Sequence, residues 1–402
     1  MSMRPFQKHS QLGLTLVELM VSLVIGLITI LVVTQFAISF QAQKRSTVGE
    51  AGSMDEGAVA MNTLKREVMG AGYGIIDPDL TGCRVQAHDA RPDNPATARD
   101  FSFSIYPVWI DQGPGGASDS LAVNYSNSPM LAGASTLIQD FPGDETTNLK
   151  LKTRYGFYPG DRIILADSPK KPTARDCSMY QVTFLPTSSG DEDTLEHKNT
   201  TYLDITGQTR TSQWNKSGGL GITINGVVQA GAKFEANKTK IFNLGPTPIS
   251  NNFYVQDGRL MYLDAYSGNT YILLSNVVSF QAQYGFDGRA GTHTDLVVPQ
   301  TIFTIGSGGY SDSMLDVNGD AITGDGRDWL RLGAIRIAIV VRNNHPEITN
   351  GTCSATSTPP AWSWGSVPAG TMSADWQCYK YKVFETVVPL RNMMWRPKTN
   401  DE

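Results

Sequence analysis

Three things are missing from this sequence: a cationic excess, the cysteine spacing of a metal site, and any catalytic signature. With 33 Lys and Arg against 38 Asp and Glu, the chain carries a formal charge of −5. No local basic patch offsets this, so a nucleic-acid partner is not expected. The four cysteines, Cys83, Cys177, Cys353 and Cys378, form no CxxC or CxxCH and no cluster with histidine. That spacing disfavours zinc, haem and thioredoxin-like chemistry and fits disulfides. There is no G-x-S-x-G, P-loop or H-E-x-x-H, and no G-x-G-x-x-G after a strand. The five histidines (His9, His88, His197, His293, His345) lie far apart and read as ordinary surface or turn residues, so an enzyme is not expected. Charge is sparse at 18%, whereas 39 Gly and 21 Pro make the chain loop-rich, a composition closer to extracellular β-rich domains than to cytosolic helical enzymes. A length of 402 residues allows two or three lobes.

What the chain does have is one long apolar run at its start. Leu14 to Phe40 is 27 residues whose only charge is Glu18. As a helix it would extend about 40 Å, enough to cross a bilayer. Arg4 and Lys8 precede it, which keeps that end cytoplasmic and sends the rest outward, into a compartment that permits disulfides. A cleavable secretory signal would be shorter and followed by an A-x-A pattern, so the run is expected to be retained. Glu18 is the exception, since a carboxylate in an apolar span costs roughly 2.5 kcal/mol or more and implies a partner.

Gly13-Leu14-Thr15-Leu16-Val17-Glu18 behind a short basic leader resembles the class III signal of type IV pilins and pseudopilins. The resemblance implies cleavage by prepilin peptidase after Gly13, N-methylation of Leu14 where the family usually has Phe, and Glu18 at the fifth mature position. The new α-amino group would compensate the Glu18 carboxylate of a neighbouring subunit in the filament core. Beyond the span, Met54, Ala58, Met61, Leu64 and Val68 repeat at helical spacing and predict an amphipathic continuation. No Pro interrupts it, and Gly49, Gly52 and Gly57 make it pliant or closely packed. Its end is expected around Gly70 to Gly74, ahead of Asp77-Pro78.

Downstream of residue 77, short apolar or alternating runs predict strands at 121–125, 162–166, 180–184, 222–228, 277–284 and 330–341. Asp257-Gly258 between two such runs is a hairpin signal. Ile335, Ile337, Ile339 and Val341 alternate with Arg336, Ala338 and Val340, the pattern of a half-buried strand facing the long helix. Leu64-Lys65-Arg66-Glu67 through Tyr73, Gly160 to Asp167, Tyr284-Gly285-Phe286-Asp287, Asp328-Trp329 and Thr386 to Asn392 resemble PilW-type minor pilins. The fold expected is therefore α+β and type IV pilin-like: leader 1–13, transmembrane and filament-core helix 14–43, amphipathic helix 44–76, and an enlarged antiparallel β-rich head 77–402.

Four cysteines allow three pairings. Cys353 and Cys378 bracket one Pro/Ser/Thr-rich loop, which favours Cys353–Cys378 with Cys83–Cys177. The loop holds Trp362-Ser363-Trp364, which reads either as a recognition element or as a local mini-core. Asp316, Asn318, Asp320 and Asp325 begin like a calcium loop, but Ala321 and Arg327 replace its Gly and Glu, so a solvated turn is the stronger reading. The resemblance implies a minor pilin that primes pilus assembly in the inner membrane and then sits at the tip. Its implied partners are prepilin peptidase, the inner-membrane assembly machinery, major and other minor pilins, and a PilY-type adhesin. A J-type pseudopilin of type II secretion, usually much shorter, and a ligand-binding tip module are the alternatives.

Overall fold

In the computed structural model, the described residues are 15–91, 99–130, 133–169, 175–287, 305–316, 323–324, 326–349 and 352–394. A single α-helix runs from Leu16 to Gly70, 55 residues. Thr15 caps its start: the Glu18 N–H donates to Thr15 Oγ1 at 3.3 Å, satisfying one of the free amides of the first turn. No proline breaks the ladder, and the glycines within it do not end the helix.

The helix stops at Gly70, within the expected Gly70 to Gly74 stretch and short of the segment boundary drawn at 76. Two causes act there. Gly72 and Gly74 take φ of +80° and +73°, which the helix cannot accommodate. From the far end of the chain, Asn392 Nδ2 donates toward the carbonyls of Met69, Gly70 and Ala71 at 3.3, 3.1 and 3.1 Å, occupying acceptors that a further turn would use.

The buried stripe differs from the predicted one. Ala60, Met61, Leu64 and Val68 are buried, but Ala58 is exposed, and the Met54 side chain lies outside the described set. The stripe instead begins at Gly57, because the ring of Phe384 lies against the helix there. A Cβ on Gly57 would stand 2.3 Å from Phe384 Cε2. Gly57→Leu is therefore expected to push the helix off the sheet and cost about 1–3 kcal/mol, while Ala58→Leu on the open face is expected to be near neutral. Urea midpoints of the two variants would test this.

Phe384 belongs to a four-stranded antiparallel sheet in the order Ile305–Ser311, Val277–Asp287, Leu332–Arg342, Tyr381–Pro389. Ile335, Ile337, Ile339 and Val341 pack in one core with Met61, Leu64 and Val68. The expectation of a half-buried strand needs correction, since Ala338 and Val340 are buried as well. The disulfide-closed loop covers that second face. Ser363 N–H donates to Glu385, which stands opposite Ala338, and Arg336 lies between the rings of Tyr310 and Trp364 at 4.1 and 4.3 Å. The run predicted from 330 starts at Leu332, after a helical turn at Gly326–Trp329.

A five-stranded antiparallel sheet completes this lobe, in the order Thr270–Ser275, Arg259–Asp264, Ile249–Gln256, Ser120–Tyr125, Val108–Asp111. Its hairpin turns at Asp257-Gly258, with φ of 51° and 69°, as the sequence predicts. The second lobe is a six-stranded sheet: Arg99–Ile105, Cys83–Asp89, Cys177–Gln181, Arg162–Asp167, Thr239–Gly245, Ser135–Thr136. Cys83–Asp89 and Cys177–Gln181 run parallel. Both faces are buried: Ile164 and Ala166 belong to one core, Ile163 and Leu165 to another. The strand predicted at 180–184 is shifted to Cys177–Gln181. The run 222–228 is not one strand; Asn225 and Gly226 take φ of 50° and 81° and fold it into a hairpin of Thr223–Ile224 and Val227–Val228.

Candidate assembly site

Leu16 to Ala37 is a 22-residue span that is wholly unburied. At 1.5 Å per residue it extends about 33 Å, matching the roughly 30 Å hydrocarbon core of a bilayer. Among the described residues the first buried position of the helix is Gly57, twenty positions later, where the head packs on it. Leu, Ile and Val side chains cover its whole circumference, a surface that must meet lipid or other helices.

Glu18 sits exposed in the first turn of this helix, where the helix dipole favours a carboxylate. Among the described residues no side chain pairs with its carboxylate, which leaves it open to a counter-charge from another chain or from the chain's own amino terminus. Gly13 and Leu14 lie outside the described residues.

The cysteines pair as Cys83–Cys177 and Cys353–Cys378, with Cα separations of 6.0 and 4.3 Å. The first bridge flanks the parallel strand pair, where Val85 stands opposite Cys177. The second closes the loop over the four-stranded sheet. Trp362 and Trp364 are half-buried, with ring centroids 6.3 Å apart and Trp364 on Arg336, so the loop's own packing claims these rings.

Two histidines differ from the expected surface or turn setting. His197 is buried between Phe141 and Tyr180, with centroids 5.1 and 5.0 Å away, and burial holds its pKa below the ordinary value. His88 is also buried, 2.7 Å from Asp100 Oδ1. His345 is exposed, and His9 and His293 fall outside the described residues. Of the calcium candidates, Asn318, Asp320 and Asp325 lie outside the described residues, and Asp316 is half-buried. Among the described residues no group of three or more His, Cys, Asp or Glu could hold a metal ion.

Three polar residues with structural duties escaped the sequence reading. Asn392 caps the helix from 322 positions away. Glu67 accepts from Tyr125 Oη at 3.0 Å and Asn251 Nδ2 at 3.3 Å, fastening the helix to the five-stranded sheet. Asp119, buried between the two sheets, accepts from the Gly113 and Ala282 amides at 2.9 and 2.8 Å. Little in its local sequence announces this, because one donor, Ala282, lies 163 positions away on the facing sheet.

Burial pushes Asp119 up from 3.8 to about 6, against the two amides that favour the charged form. The folded state therefore keeps a proton that the unfolded chain has already released. Stability from this group is greatest below about pH 4, falls as pH rises to 6, and is flat above, a total of order 2–3 kcal/mol. Asp119→Asn is expected to remove this slope, measured as the difference in denaturation midpoint between the two proteins at pH 4, 5 and 7.

With a projecting apolar helix packed by its last turns on an antiparallel β head, the molecule has the α+β architecture of the type IV pilin-like subunits. Residues 8–34 match the prokaryotic N-terminal methylation motif, and residues 254–392 match the family model of the type IV pilus-assembly protein W. Together these match the chain to a PilW-type pilin with a class III signal, a type IV pilus-related subunit. The second match covers the four-stranded sheet, part of the five-stranded one and the disulfide loop; the six-stranded lobe lies outside both. No curated protein and no solved structure matches the chain.

Proposed function

We propose that the chain is a minor pilin, held in the inner membrane by residues 14–43 with its head in the periplasm, then carried into the pilus as part of a tip complex. The observation that carries this reading is the unburied span Leu16–Ala37, standing clear of the head with Glu18 at its far end. A surface apolar on every side is stable in lipid and stable among other helices, so one helix serves both stages. Prepilin peptidase would remove residues 1–13 and leave Leu14 as a methylated terminus whose amine compensates Glu18. In the complex it would prime assembly of the major pilin together with other minor pilins, with a PilY-type adhesin as the outer partner. No step in this role needs catalysis by the chain. Peptide mass spectrometry on sheared filaments and membranes would test it. The expected result is a peptide starting at methylated Leu14, at trace abundance relative to the major pilin; protein starting at Met1 or Ser2 and confined to membranes would overturn it.

A further inference from the structure

The corner where the five-stranded sheet passes into the four-stranded one encloses a hollow of about 550 Å³. Asn276, with φ of 59°, makes the corner. Around it Val277 N–H donates to Gly258 O at 2.8 Å, and Arg342 N–H donates to Asn276 O at 3.0 Å. These bonds bring Arg259, at the start of one strand, and Arg342, at the end of another, to the same hollow. Ser275 completes the wall, and Thr371, Met372 and Ser373 of the disulfide loop line the opposite side.

Neither guanidinium has an ion-pair or hydrogen-bond partner among the described residues; Arg342 only lies over the Tyr379 ring, at 4.5 Å. Against these two cations the lining holds one carboxylate, Asp257. Just outside it is Asp375, whose carboxyl is held below its ordinary range by the Ser373 hydroxyl, with the Arg342 charge a lesser cause. Two guanidinium groups from different strands thus line one hollow, and guanidinium N–H pairs suit an anion with several acceptor oxygens.

The place of the hollow matters too. Phe384 meets the helix at Gly57 and Asn392 meets it at Met69 to Ala71, so the strand Tyr381–Pro389 climbs away from the apolar span. Tyr381 pairs with Arg342, which puts the hollow at the end of the head nearer the span.

We propose that this hollow binds a phosphate-type oxyanion between Arg259 and Arg342, supplied either by a free anion or by a lipid headgroup. The site lies within the head and does not depend on processing at Gly13. The test uses the full chain with ³¹P NMR at constant ionic strength, first with inorganic phosphate in uncharged detergent micelles, then in nanodiscs of phosphatidylglycerol against phosphatidylcholine. Saturable broadening of the inorganic phosphate signal, weakened at least about tenfold in both Arg259→Gln and Arg342→Gln, assigns a free anion. A response confined to phosphatidylglycerol, and lost in the same variants, assigns a headgroup. Arg259 is exposed, so its replacement does not put folding at risk. No saturable response with either source, or one that both variants retain, overturns the proposal.

Discussion

Replacing Gly13 with a residue larger than Ala is expected to abolish processing and leave the full 402-residue chain in the inner membrane. The apolar span still inserts, because nothing in Leu16–Ala37 has changed. The peptidase, however, would no longer meet a residue without a side chain at the bond it cuts, and without a free amine at Leu14 there is no cation to meet Glu18. A blot of membranes and sheared pili reads both consequences: a precursor heavier by residues 1–13, and none of it in the pili. Normal processing would count against the cleavage assignment. Glu18→Ala separates the two steps, since it should be cut normally and yet be poorly incorporated. Its carboxylate is the one charge in the span, and none of the described head residues pairs with it.

The second large effect is expected in the lobe that neither family match covers. Cys83–Cys177 closes a stretch of 94 residues, for which loop entropy predicts about 4–5 kcal/mol of stabilisation, against about 3.5 kcal/mol for the 25-residue stretch closed by Cys353–Cys378. The first bridge also joins the strand pair at which the six-stranded sheet turns parallel, a pairing with the closure cost of a long connection behind it. Cys83→Ala with Cys177→Ala should therefore loosen the lobe built on Val85, Ile164 and Trp214. The core of Leu64, Ile337 and Phe280 should stay closed, since it shares none of those residues. Limited proteolysis would read this as new cleavage within 127–247 while the strands after 249 remain protected. Uniform unfolding of the whole head would show that the two lobes stand or fall together.

The hairpin at Asp257-Gly258 and the alternation of Ile335, Ile337, Ile339 and Val341 were legible because each is local: a two-residue turn and a period of two are written in consecutive residues. Reading Ala338 and Val340 as solvent-facing failed because what covers them is a loop about twenty-five residues downstream, and no periodicity in a strand reports a cover from elsewhere. Ala58 failed for a related reason. Helical spacing predicts that some face is buried, but the choice of Gly57 over Ala58 came from the Phe384 ring, which requires a position without a Cβ. His197 and Asp119 were hidden for the same cause: each is held in part by groups distant in sequence, Phe141 beside His197 and the Ala282 amide on Asp119.

What the sequence determined by itself was the apolar span, the N-terminal methylation motif around it and the largely antiparallel β character of the head, all carried by contiguous residues whose hydropathy and charge act without any partner. Tertiary structure alone decided which face of the helix is covered, and that Arg259 and Arg342 share one hollow. Each of those depends on groups that meet only after loops of tens to hundreds of residues have closed, and that closure is governed by packing and hydrogen bonding in three dimensions rather than by any pattern along the chain.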